Sequence, residues 1–140
     1  MFHTIIIAGY LGRDPEMRYM PDGRPVTTFS VATNRKWTGR DGQLQEETIW
    51  FRVSAFDKLA ETCNQYLAKG RPVLVEGRLR ADPSGGPRIW TGNDGTARAS
   101  FEVTASTVRF LGRKDEGAPA AQAAAVPEYE EGGGEEEIPF

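Results

Sequence analysis

Alternate residues divide Glu47–Phe56 into two unlike sets. Ile49, Phe51, Val53 and Ala55 are all apolar, and a strand would turn them to one side. Thr48, Trp50, Arg52, Ser54 and Phe56 fall on the other. An ordinary half-buried strand alternates apolar-in with polar-out. Two large aromatics beside a guanidinium fit neither a core face nor a solvent face, and exposed rings need a reason. Flat π-faces beside a cation suit a flat, stackable, negatively charged partner, and a single nucleic-acid strand is one.

The same alternation predicts four more strands. Thr4–Leu11 is β-branched and apolar, with Gly9 marking a bulge or a close backbone approach. Val26–Asn34 sets Thr27, Phe29, Val31 and Thr33 against Thr28, Ser30, Ala32 and Asn34. The second, small and polar set either lies beneath a ligand or is plain solvent-facing surface. Pro72–Arg80 sets Val73, Val75, Gly77 and Leu79 inward. Leu74 and Glu76 lie on its other face, a candidate subunit contact. Ser100–Val108 turns Phe101 and Val103 inward.

Between them, Gly12–Pro25 carries Asp14-Pro15, Asp22-Gly23 and Arg24-Pro25 and reads as a loop. Arg35–Gly42 places three cations around Trp37 at the tip of a long hairpin; the ring either stands free there or folds back onto the core. Over Asp57–Lys69 the period changes. Leu59, Ala60, Cys63, Tyr66 and Leu67 fall at helical spacing, with Asp57 as N-cap and Gly70 just past the end. Ala81–Ala99 is a Pro- and Gly-rich loop in which Ile89–Thr91 forms one arm of a small hairpin. Trp90 follows Arg88 there, again an aromatic beside a cation.

Five strands with one short helix between the third and fourth predict a five-stranded OB-fold barrel, with the helix closing one end. No βαβ repeat argues for a parallel sheet.

Charge divides the chain. All 17 Lys and Arg lie at or before Lys114, whereas eight of the 20 acids lie beyond it. A basic body suggests an anionic ligand, and an acidic tail either competes with that ligand or finds a basic partner. Residues 1–112 are read as the domain and 113–134 as an Ala/Pro/Gly-rich linker expected to be disordered. Glu135, Glu136, Glu137, Ile138, Pro139 and Phe140 are read as a docking peptide for a basic, apolar pocket.

Catalytic chemistry is sparse, and no enzyme or cofactor is expected. His3 is the one histidine and Cys63 the one cysteine, so no zinc site of common spacing exists. No disulfide within the chain is possible, and Cys63 reads as a small buried hydrophobe. The chain contains no phosphate-binding glycine loop and no nucleophile elbow. No membrane span or signal peptide is expected, and a cytoplasmic, nucleoid-associated setting follows. The candidate site is therefore Trp37, Trp50, Phe56 and Trp90 for stacking, with Arg35, Lys36, Arg40, Arg52, Arg78, Arg80 and Arg88 for phosphates.

These residues sit within segments that resemble the bacterial single-stranded DNA-binding proteins over essentially the whole length. The segments include Gly9-Tyr10-Leu11-Gly12-Arg13-Asp14-Pro15, Phe29-Ser30-Val31-Ala32-Thr33-Asn34, Trp50-Phe51-Arg52-Val53, Tyr66-Leu67-Ala68-Lys69-Gly70 and Val75-Glu76-Gly77-Arg78-Leu79. The tip Ile138-Pro139-Phe140 after an acidic run is the most specific. The resemblance implies an OB-fold homotetramer wrapped by single-stranded DNA. It implies that the tip recruits replication, recombination and repair proteins. It also places the family's stacking aromatics on Trp37, Trp50, Phe56 and Trp90.

Three departures stand out. Ala81–Ala99 is longer than expected for the best-known members. Phe51 replaces a His found near a subunit contact in some of them. The tail is short and uses Glu where Asp is commoner, which shortens its reach. Two other readings remain open: an OB-fold RNA binder, and a replication-restart OB-fold that mainly docks to proteins. RNP-type aromatic motifs are absent, and the tip has no purpose in an RNA module.

Overall fold

The computed structural model describes residues 1–112. The linker and the Glu135–Phe140 tip lie outside the described residues. Eight strands and one helix occur in the order β1 (Ile5–Leu11), β2 (Glu16–Tyr19), β3 (Pro25–Thr38), β4 (Leu44–Phe56), α1 (Asp57–Tyr66), β5 (Pro72–Leu79), β6 (Ile89–Thr91), β7 (Ala97–Ala99) and β8 (Phe101–Phe110). The sheet runs β1-β5-β8-β4-β3, and a β1–β3 pairing closes it into a five-stranded barrel. All barrel pairings are antiparallel except β4 with β8. With the helix between the third and fourth barrel strands, this is an OB-fold.

The inward parities supply the core. Thr27, Phe29 and Val31 from β3 and Val53 and Ala55 from β4 are buried, as are Val73 and Val75 from β5. Helix α1 seals one end with Ala60 and Cys63, followed by Leu67. Thr27 is the buried polar residue of this layer, and its hydroxyl donates to the Ala60 carbonyl at 2.6 Å. Burial pushes the Cys63 thiol up to about 12, which keeps it a neutral packing group. Gly9 marks a close approach: a Cβ there would overlap the Ala32 carbonyl where β1 meets β3.

The loop expected over residues 12–25 contains strand β2. Its four residues pair with Pro25–Thr28 of β3 and are mostly exposed, so the ladder rather than a buried face holds them. The helix ends at Tyr66, three residues short of the expected Lys69. Leu67 is already extended, the Arg71 guanidinium donates to the Tyr66 carbonyl, and the Lys69 and Gly70 amides donate to Asp14 and Leu11. These contacts draw the chain off the helix axis. Gly70 takes the left-handed φ of +85° three residues beyond Leu67.

Asp57 is not the N-cap. Phe56 holds that place without a side-chain bond, and Asp57 takes a φ of +58°. The Asp57 carboxylate instead accepts two bonds from the Arg24 guanidinium at 2.9 and 2.8 Å. Asp is among the few residues that tolerate the left-handed region.

Two residues expected inward are exposed. Leu79 ends β5, and Phe101 opens β8. Both share the parity of buried neighbours, but the strands run past the core at these points. Phe101 meets Phe51 at 5.8 Å between ring centroids with the rings tilted by 43°, and Phe51 packs on the margin of the core.

Candidate nucleic-acid interface

Register fixes the outer face of the β3–β4 ladder. Val26 stands opposite Phe56, Thr28 opposite Ser54, Ser30 opposite Arg52 and Ala32 opposite Trp50. In an antiparallel pair such partners share a face. Trp50 therefore stands beside the small Ala32, which leaves its face uncovered, whereas Phe56 stands beside the buried Val26. The Trp50 ring is 52% exposed, and its edge rests on Gly12, where a Cβ would overlap the indole. A glycine at that place lets the ring lie down against the barrel. Six residues along the same strand, Phe56 is half-buried, about 20 Å away at ~3.3 Å per residue.

Arginines gather across the next two strands. Arg52 lies beside Glu102 in the parallel β4–β8 pair, and Arg78 lies opposite Thr104. The Arg80 amide donates to the Glu102 carbonyl at 2.8 Å. Arg88, just before β6, reaches the Glu102 carboxylate at 3.8 Å. Arg80, Ala81, Asp82, Pro83, Arg88 and Glu102 line an open cleft of about 330 Å³ beneath this loop. Four of the seven expected phosphate ligands are thus brought to one side of the barrel.

The other three stand on the arm. Beyond the barrel, β3 and β4 continue as a two-stranded ribbon to the turn at residues 39–43. Gly42 takes a φ of +77° there. Arg35, Lys36 and Trp37 are strand residues of this ribbon rather than loop residues, and Arg40 occupies the turn. Trp37 is 37% exposed, so it does not fold back into the core, and the Arg35 guanidinium stacks on its ring at 4.3 Å. By register Arg35 and Trp37 share the parity of Phe29 and Val31, whereas Trp50, Arg52 and Lys36 share the other. The β3–β4 hairpin therefore carries Trp50, in the barrel, and Trp37, on the ribbon, on opposite faces. Between them, Thr48 donates to Asn34, and Asn34 donates to Glu46, in a polar row across the strands.

Trp90 stands on the separate β6–β7 hairpin, 39% exposed, directly opposite Arg98. Arg98 was absent from the cations read from sequence. The turn Asn93-Asp94-Gly95 carried the clue, because a tight turn centred there folds Arg98 back beside Trp90. Asp94 holds Arg98 at 3.0 Å. The Thr96 amide, and then Arg98, keep the Asp94 carboxyl below its ordinary value. Glu102 was also overlooked; it is set among arginines by the β4–β8 and β5–β8 pairings. Among the described residues, no three His, Cys, Asp or Glu side chains group as a metal site would need. No helix among them is long and apolar enough to cross a membrane.

Residues 2–111 match the family described as the single-strand binding protein family. The chain belongs to that family. Two single-stranded DNA-binding proteins of Neisseria meningitidis, from serogroups A and B, are each 41% identical over 133 residues, 95% of this chain and 70% of theirs. The fold resembles that in a Plasmodium falciparum SSB complex with ssDNA, at a TM-score of 0.65 and 30% identity. That match covers 80% of this chain and 97% of the other. It also resembles a small single-stranded DNA-binding protein from Streptomyces coelicolor, at 0.63 and 27%, over 77% and 93% of the two chains. Family membership and the barrel agree with the resemblance read from the motifs.

Proposed function

We propose that this chain binds single-stranded DNA with little sequence preference, as a non-enzymatic protein of replication, recombination and repair. The observation that carries the reading is Trp50, a half-exposed indole on an OB-fold strand with Arg52 two residues along the same face. Phe56 and Trp90 are taken to extend the stacking surface, and Trp37 adds a stacking ring on the other face of the arm. Arg35, Lys36, Arg40, Arg52, Arg78, Arg80 and Arg88 supply phosphate contacts. Base–aromatic stacking contributes about 1–3 kcal/mol per base and tolerates any sequence. Family membership supports the same ligand.

The reading includes assembly into a homotetramer. Ile6, Leu79 and Phe101 are apolar and exposed on the single chain, which supports burial against further copies. It also includes recruitment of partner proteins by Glu135–Phe140 and a place on the nucleoid in the cytoplasm.

Oligo-dT titrated against intrinsic tryptophan fluorescence tests the reading. Quenching, with affinity falling steeply as salt rises, is expected. No quenching would overturn it, and clearly tighter binding of an RNA homopolymer of equal length would replace it with an RNA-binding function.

A further inference from the structure

We infer that Glu102 is a positioning residue of the DNA site, a resident carboxylate that occupies Arg88 until a phosphate displaces it. The inference rests on the proposed binding of single-stranded DNA. Glu102 belongs to the outward parity of β8, since Val103 and Ala105 are buried. Its side chain is nonetheless only 11% exposed. Arg52 adjoins it on one side through the β4–β8 register, and Arg80 on the other, where its backbone amide donates a hydrogen bond to the Glu102 carbonyl. Arg88 closes over it from the loop, 63% exposed at its own side chain.

The next outward residue of β8, Thr104, is uncharged. What Glu102 does have is position: a negative charge fixed on a rigid strand, among cations read as phosphate ligands. A charge there offsets part of the local positive field while the site is empty. It also gives Arg88 a partner, which holds the chain entering β6 against the barrel and so limits where Trp90 can stand. When a phosphate arrives, Arg88 exchanges one anion for another. The exchange weakens net affinity and makes release of the strand easier.

Two consequences distinguish this role from a merely structural one. Removing the charge must tighten binding, not weaken it, because Arg88 is then free before DNA arrives. The cost of losing Arg88 must also depend on whether Glu102 is present. The experiment is an oligo-dT titration at several salt concentrations on the full chain, comparing wild type, Glu102→Gln, Arg88→Gln and the double variant. Glu102→Gln is expected to bind roughly threefold to tenfold tighter at low salt. Its plot of log affinity against log salt is expected to steepen by about one unit. Arg88→Gln is expected to weaken binding more in the Glu102→Gln background than in wild type.

Unchanged or weaker binding by Glu102→Gln would overturn the inference, as would an Arg88→Gln effect equal in both backgrounds. Wild-type quenching in the same series separates this failure from failure of DNA binding itself. If Glu102→Gln melts early, Glu102→Thr, which matches Thr104, carries the same comparison.

Discussion

One hairpin, β3–β4, behaves as two structures. From Val26↔Phe56 to Thr33↔Ile49 its inward side chains enter the barrel, and Phe29, Val31 and Val53 are completely or almost completely buried. From Asn34↔Thr48 to Thr38↔Leu44 the same ladder continues with the same alternation, but both faces meet solvent. Backbone bonds are alike in the two halves. The difference is apolar burial, which is the larger source of stability. The contrast teaches that strand pairing sets where side chains point, and the core decides which half is rigid. The barrel half holds Trp50 firmly against Gly12. The arm half carries Trp37 with Arg35 stacked on its face.

Substitutions can break this contrast, beginning with the core. Phe29→Ala is expected to destabilise the fold by about 3–5 kcal/mol, measured by denaturant unfolding. An equal loss from Gln45→Ala on the arm would erase the distinction between the halves. Thr27→Val comes next. It removes the donor to the Ala60 carbonyl in a buried setting and is expected to cost about 1–3 kcal/mol by the same measurement.

Trp50→Ala and Trp37→Ala are each expected to weaken oligo-dT binding by about 1–3 kcal/mol. Trp37→Ala should leave the melting temperature unchanged, whereas Trp50→Ala should lower it slightly because the ring also covers Gly12. A fall in melting temperature for Trp37→Ala would show that the arm is part of the cooperative unit.

The smallest effect concerns the base of the hairpin, where Arg24 holds Asp57. The hydrogen bonds and charge of Arg24 keep the Asp57 carboxyl below its ordinary value, despite some desolvation. A depressed acid stabilises the fold above its unfolded value and loses that contribution as pH falls through the folded value. Arg24→Met should therefore lower stability slightly at neutral pH and converge with wild type below about pH 4, which flattens the acid limb; the loss is small because exposed pairs contribute little. An unchanged acid limb would show that the pair does not couple to folding.

Local pattern made much of this legible. The sets Thr27–Phe29–Val31 and Val53–Ala55 are buried as alternation requires, and the helix begins where the period changes. Strand β2 was hidden because Glu16–Tyr19 has no apolar face of its own and depends on its ladder with β3. The geometry at Asp57 was hidden because it is set with Arg24, 33 residues earlier. Phe101 and Leu79 followed the right parity but lie beyond the core, and parity does not report where a barrel ends. In the candidate site, the aromatic and cationic residue types were visible one by one. Their division into a barrel cluster and an arm cluster was not, because it follows from the β4–β8 and β5–β8 registers. The Glu135–Phe140 tip lies outside the described residues.

The parallel pairing of β4 with β8 also has a kinetic meaning. Phe51 and Phe101 are fifty positions apart, with α1 and three strands between them, whereas the β3–β4 ladder turns over five residues. A short hairpin closes in microseconds, but a distant pairing must first lose the entropy of its intervening loop. The arm and its base can therefore zip early, and the chain then waits for β8 to find its place between β4 and β5. Until it does, both neighbours present open edges, and the arginines of the barrel cluster have no common surface. Chain closure at β8 thus fills the gap between β4 and β5 and brings the arginines of the proposed DNA site together.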